Sequence, residues 1–436
     1  MTRFSALATI LGVTIGVAPI LSQSLPTLRQ LGPVTAVAGD SLGAVSGIRT
    51  LSNGRVLVND IVGRRVLLFD SALTLVSVVA DTTSATANAY GTRAGGLIAF
   101  RGDSTLFVDP ASLSMMLIDP DGKIGRVMSA PRAQDIGFLI GGPFGAPGFD
   151  PSGKLVYRAP PDFRAIARGP AANGLPPVPT PPESAAVVRF DLASRKVDTA
   201  TFFKTPKVVM NVTRTNDGGV RVLSSINPLP QGDDWALLPD GTIAIVRTKD
   251  FHVDFLSPDG KVTSAPKIPF SWERLTDSGK VAFIDSARVA IEKQRASGQF
   301  GFGGGPGGGG GLQVTFGAAG PARGGGAGGD RANVTTTAGP PAGQLPPLTM
   351  IQPTELPDYK PAFLPGSTRV DSEGNLWIRT TQNVDARPVY DVVNRKGELV
   401  DRVQLPANRV LVGFGAGGVA YLAVRDGNTV HLERAR

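Results

Sequence analysis

The chain has 436 residues and a formal charge of +8; 42% are hydrophobic and 18% charged. That charge density is below the ~25% usual for soluble domains, and 55 glycines and 36 prolines make the chain rich in turns. With no cysteine and two histidines, disulfides, cysteine–zinc sites, thiol nucleophiles and a three-histidine metal centre are excluded.

The chain opens with Arg3, an uncharged apolar run over 6–21 and the small residues of Ser22-Gln23-Ser24. This pattern predicts a signal peptide over 1–24, cleaved before Leu25, and an exported protein, periplasmic or extracellular. No later stretch reaches the roughly 18 apolar residues of a membrane helix, so the mature chain is expected to lack a span. Basic residues are scattered and aromatics are 6%. A nucleic-acid surface would need a basic stripe with interleaved aromatics, so no nucleic acid is expected as a partner.

Short β-rich runs then recur, separated by turn signals. The first unit runs from Gly47 through a turn at Ser52-Asn53-Gly54 to three further strands ending at Ala80. The second starts at Gly96, turns at Gly102-Asp103 and again at Pro120-Asp121-Gly122. The third has Pro151-Ser152-Gly153, and the fourth Pro239-Asp240-Gly241 and Pro258-Asp259-Gly260. The fifth has Ser372-Glu373-Gly374 and Lys396-Gly397, and the sixth Gly417-Gly418 and Asp426-Gly427. Such turns supply the positive φ that tight hairpins require. The first-hairpin turns fall near 54, 102, 153, 241, 374 and 417, and the short gaps of 48, 51 and 43 residues match one four-stranded propeller blade.

The two long gaps hold insertions. Residues 158–184 contain eight prolines and read as a surface loop. Residues 208–225, centred on Asn216-Asp217-Gly218, read as an extra hairpin. A helical insertion is expected over 271–297: Val281, Ile284, Ala287 and Ile291 recur at helical spacing, with Thr276 or Asp277 as cap and Trp272 placed to pack the helix on the propeller. Residues 298–347 hold 19 glycines in 50 positions and are expected to be disordered. The sixth unit ends after three strands. Residues 33–38 are the natural fourth, which would tie the two ends of the chain together.

The predicted fold is therefore all-β: a single domain over 25–436, a six-bladed β-propeller of four-stranded antiparallel blades. Residues 237–246, Leu-Leu-Pro-Asp-Gly-Thr-Ile-Ala-Ile-Val, together with Phe255-Leu-Ser-Pro-Asp-Gly260 and the 369–377 run Arg-Val-Asp-Ser-Glu-Gly-Asn-Leu-Trp, resemble exported bacterial six-bladed propellers of the NHL-repeat type. The resemblance covers about residues 33–436 without the insertions. It implies architecture and leaves chemistry open, because propellers include binding platforms as well as hydrolases, lyases and dehydrogenases.

No phosphate loop or nucleophile elbow is present, and the Gly303, Gly305, Gly308 pattern lies in a polyglycine tract with no strand before it. His252 shares a strand face with Asp254 and His431 lies in the last strand; both read as structural. Trp235 and Trp377 fall in strands and read as core. Ligand-binding candidates are the polar residues near strand ends at the channel mouth: Arg49, Asn59, Asp60, Asp109, Arg158, Asp234, Arg247, Asp250 and Arg379. Arg247 and Asp250 close and follow an apolar strand, where they would hold a carboxylate or a sugar. The favoured function is a monomeric, non-catalytic binding or scaffold propeller without cofactor or metal, presenting its rim loops to a protein or a small cell-envelope ligand. The alternative resembles the six-bladed lactonases: Asn59, Asp109, Asp234 and Asp250 would supply oxygens to Ca²⁺ in the channel, which would activate a water for hydrolysis.

Overall fold

The computed structural model describes residues 25–161, 181–214, 220–296, 348–427 and 429–436. The expected signal peptide, the middle of the proline-rich loop, the Asn216-Asp217-Gly218 turn and the glycine-rich tract lie outside them.

Six antiparallel sheets form the blades of a six-bladed β-propeller. Blade one comprises Val45–Thr50, Val56–Asp60, Arg65–Phe69 and Leu75–Ala80. Blade two comprises Gly96–Ala99, Thr105–Asp109, Ser114–Ile118 and Ile124–Ser129. Blade three comprises Gly148–Phe149, Leu155–Arg158, Ser184–Phe190 and Val197–Lys204. Blade four comprises Asp234–Leu237, Ile243–Arg247, His252–Leu256 and Val262–Ser264. Blade five comprises Phe363–Val370, Leu376–Val384, Arg387–Val393 and Leu399–Gln404. Blade six comprises Arg409–Phe414, Ala420–Asp426 and Thr429–Ala435.

The fourth strand of blade six is Val34–Val37, paired antiparallel with Thr429–Ala435. The closure read from the sequence is therefore the one observed. Gly32 lies so close to the C-terminus that a Cβ there would sit 1.6 Å from the Arg436 carbonyl oxygen. The sequence did not signal Leu28–Gln30, which adds a parallel fifth strand to the outer edge of blade five.

The first strands of successive blades lie against one another from blade four through five, six, one and two to three, and surround the central axis. Because strands alternate in direction, the start of each first strand and the end of each second strand share one face, called here the upper face. The hairpin turns lie at the opposite face. There Gly54, Gly122, Gly153, Gly241, Gly260 and Gly374 all hold φ between 79° and 88°, a conformation glycine adopts without penalty.

One apolar cluster fills each junction between blades. Val56 and Val58 pack toward blade six with Tyr421 and Leu432, whereas Leu57 packs toward blade two with Phe107 and Met116. Central strands are buried on both faces, which is why they read as continuous apolar runs. Trp235 and Trp377 are in these clusters, as expected.

The insertions between blades three and five form one appendage. Met210–Arg214 pairs with Val220–Ser224 as the expected extra hairpin, and helix α1 spans Asp277–Ala296. Thr276 caps it, its Oγ1 accepting the Gly279 N–H at 3.1 Å. Ile284, with Phe283, Ala287 and Ile291, packs on Leu229, Met350, Ile351 and Leu356. Val281, expected on that face, is exposed. Trp272 does not seat the helix; it meets Phe270 edge-on at 5.2 Å and is 42% exposed.

Candidate functional site

The upper face gathers most of the polar residues singled out from sequence, and their partners separate structural from available groups. Asn59 is fully buried at the end of a second strand. Its Nδ2 donates to the Gly95 carbonyl at 2.7 Å and to Ser46 Oγ at 2.8 Å, and its Oδ1 accepts from Tyr90 Oη at 2.9 Å. Tyr90 in turn accepts the Gly95 N–H, and burial pushes its phenol up to about 12. This network ties blade one to the start of blade two.

Asp60 is also fully buried. It accepts the N–H groups of Gly43, Ala44 and Gly63, each at 3.0 Å, and Arg65 Nε at 3.0 Å. Asp109 accepts the N–H groups of Ala111 and Ser112 and the Ser112 hydroxyl. Both carboxylates hold loops.

Arg247 does not offer a free guanidinium. Its Nη1 donates to Asp233 at 2.8 Å and its Nε to Asp254 at 2.7 Å, while His252 Nε2 lies 3.4 Å from the other Asp254 oxygen. Asp250 stands apart on the rim, paired with Lys267 at 3.2 Å. Arg49 lies toward the opposite face at the end of its strand, donating to the carbonyls of Thr50 and Gly102; burial lowers its affinity for its proton. Arg379 lies partly buried opposite Tyr390 in the blade-five ladder.

Asp234 and Arg158 are the pair that the fold brings together. Asp234 begins blade four and is buried. Its Oδ1 accepts the Trp235 N–H and its Oδ2 the Thr368 N–H of blade five, both at 2.9 Å. Burial raises its carboxyl above the ordinary range, and those amides oppose the shift. Arg158 ends the second strand of blade three, near enough to Asp234 to be stabilised by its charge, yet forming no ion pair with it. Burial nevertheless lowers the Arg158 guanidinium to about 10.

Three phenylalanines surround Arg158. Its guanidinium carbon lies 5.7 Å from the Phe138 ring centroid, 5.3 Å from Phe144 and 5.6 Å from Phe203. Phe144 belongs to a short 3₁₀ turn, Gly142–Phe144, that reaches across blade four to the first strand of blade five. Trp235 Nε1 donates to the Phe144 carbonyl at 2.9 Å. The sequence named Arg158 and Asp234 but missed the three rings. They come from two separate segments, and no spacing rule links them.

Beside this, Tyr157 Oη donates to the fully buried Asp135 at 2.5 Å and Arg132 Nε to the same oxygen at 2.7 Å. Burial and the Asp135 charge raise the Tyr157 phenol.

A second buried carboxylate, Asp391 on blade five, accepts from Arg402 Nε at 3.2 Å, and its Oδ2 has no partner among the described residues. Burial raises it to about 6 from an ordinary 3.8. The folded state thus keeps a proton that the unfolded chain releases. Its contribution is fully present below the unfolded value and lost as pH rises through the folded one. The stability of the native chain relative to Asp391→Asn is expected to fall by about 2 kcal/mol between pH 4 and pH 7, read from urea unfolding. A pH-independent difference would rule this out.

Ca²⁺ takes roughly six to eight oxygen ligands. The candidate ligands Asn59, Asp109, Asp234 and Asp250 are not brought together. Three of them hold local backbone or side-chain groups, and the fourth sits in an exposed ion pair. Among the described residues no cluster of three or more histidines and carboxylates forms. These residues do not fit the metal.

Solved structures similar to the chain include two lyases and a gluconolactonase. A virginiamycin B lyase from Staphylococcus aureus, solved with quinupristin, is 9% identical over 94% of this chain and 99% of its own, with a TM-score of 0.36. A streptogramin B lyase is 8% identical over 94% and 98%, with a TM-score of 0.37. A gluconolactonase from Xanthomonas campestris is 14% identical over 58% and 90%, with a TM-score of 0.25. These likenesses concern the fold alone. No family model matches the sequence, and no curated protein matches it.

Proposed function

We propose that the chain is an exported propeller of the NHL-repeat type that binds rather than catalyses, taking a protein or small cell-envelope ligand on its upper face. One observation carries this reading. Of the groups that a metal-dependent hydrolase would turn toward the channel, Asn59, Asp109 and Asp234 are here engaged by loop and blade-junction groups, and Asp250 pairs with Lys267 on the rim. The polar surface left for a ligand is the rim. The apolar leader over 6–21 supports export.

A thermal melt of the chain from Leu25 tests the reading, in EDTA and then with millimolar Ca²⁺. The expected result is the same midpoint in both. A bound metal at 100 times its Kd would add about 2.7 kcal/mol and raise the midpoint by a few degrees. A Ca²⁺-specific rise would overturn the binding reading in favour of hydrolysis.

A further inference from the structure

We propose that Arg158 anchors an organic carboxylate carried on an apolar body, at the mouth of the upper face above the junction of blades three and four. The inference rests on the binding reading and specifies its ligand.

The arginine differs from several others on the blades. Arg247 meets two carboxylates, Arg409 meets Glu433, Arg402 meets Asp391, and Arg195 donates to the carbonyls of Ala130 and Pro131. Arg158 Nε is buried with no hydrogen-bond partner among the described residues. Three ring faces supply attraction, but rings accept no directed N–H bonds of normal strength. A buried guanidinium Nε–H with no acceptor is costly, and a fork-shaped anion that takes it together with an Nη N–H would remove that cost.

The cage is built rather than incidental. Gly145 holds φ +88°, and a Cβ there would lie 2.3 Å from Trp235 Nε1. Gly366 holds φ +82°, and a Cβ there would lie 2.9 Å from the Pro143 Cα. With the Trp235–Phe144 hydrogen bond, these close approaches fix the turn that carries Phe144, whose ring packs 4.7 Å from Phe138. The aromatic walls are therefore in place before any ligand arrives.

The charge nearby selects the ligand class. Asp234 spends its oxygens on amide groups and closes no ion pair with Arg158, so it leaves the guanidinium edge open while adding negative potential. A dianion such as phosphate meets more repulsion there than a monoanionic carboxylate does. The phenylalanines favour an apolar body attached to that carboxylate.

The test uses the chain from Leu25 and sodium phenylacetate, followed by calorimetry and thermal shift, with 2-phenylethanol as the neutral isostere and inorganic phosphate as the second anion. Phenylacetate at ~10 mM is expected to raise the midpoint of the native chain, which requires a Kd near or below ~1 mM. Arg158→Gln is expected to weaken binding about tenfold or more, and Arg158→Lys to keep part of it. Both variants should melt at or above the native midpoint, because an unpaired buried charge has been removed or made more flexible. Equal affinity in Arg158→Gln, no response of the native chain, or stronger binding of phosphate would each overturn the anchor. A large loss of melting temperature in both variants would also overturn it, by making Arg158 a structural group. Arg158-independent binding of 2-phenylethanol would sink the carboxylate site and leave the binding reading standing. A Ca²⁺-specific rise would sink the reading itself.

Discussion

A chain that begins at Gly39 is expected to lose about 5 kcal/mol or more, a loss comparable to the whole stability of many domains. The missing segment would include Val34–Val37, whose successor Ala38 donates its N–H to the Leu432 carbonyl at 2.8 Å. Ala36 and Ala38 cover a cluster containing Tyr421, Val430 and Leu432, and Leu432 is fully buried. Re-exposing two or three such side chains costs about 1.5–3 kcal/mol each, and the bare edge of Thr429–Ala435 invites pairing with other chains. Urea unfolding followed by circular dichroism, with gel filtration for aggregates, checks the result. A chain starting at Pro33, which lacks residues 25–32 with the strand Leu28–Gln30 and the partly buried Leu31 but keeps Val34–Val37, should lose far less. Equal midpoints for the chains from Leu25 and Gly39 would show that blade six closes without its borrowed strand.

Asp60→Ala is expected to cost about 4 kcal/mol, since it strands three amides and removes the partner of Arg65. Most of that cost lies with the amides of Gly43, Ala44 and Gly63, because Arg65 is one-third exposed. Asp60→Asn keeps one acceptor and should cost about half as much. The site also depends on a glycine: a Cβ at Gly63 would lie 2.3 Å from Asp60 Oδ2. Chemical denaturation of both variants distinguishes a loop-holding carboxylate from a ligand-binding one. A cost below about 1 kcal/mol for Asp60→Ala would contradict the loop-holding role.

The architecture was legible because each blade carries its own local signals. Hairpin glycines such as Gly54, Gly153 and Gly374 sit where positive φ is required, and the flanking runs have the length and apolar character of buried strands. Even the closing strand at 33–38 could be inferred, from a blade that ended one strand short. Leu28–Gln30 was not, because three mostly exposed residues with a parallel partner 374 positions away leave no local mark.

The site was less legible, for a physical reason. An aspartate at a strand end can hold a loop or face a ligand, and its sequence neighbours are the same in both cases. Asp60 and Asp109 do the former. Arg247 and Asp250 read as a place for a carboxylate or a sugar, yet each has a partner within the chain: Arg247 takes Asp233 and Asp254, and Asp250 takes Lys267. What sets Arg158 apart is the absence of a polar partner among described residues together with rings at 138, 144 and 203, which only the assembled ring of blades brings to one place.

The strand that completes blade six, Val34–Val37, lies about 400 positions from its partner, Thr429–Ala435. The Thr35–Arg434 contact spans 399 positions. Joining chain segments that far apart costs about 3 kcal/mol more closure entropy than a ten-residue hairpin. Five blades can form from local hairpins while the sixth waits for both termini. Ring closure is therefore expected to be the slow, final step of folding, and the chain stays open-edged until its C-terminus is available.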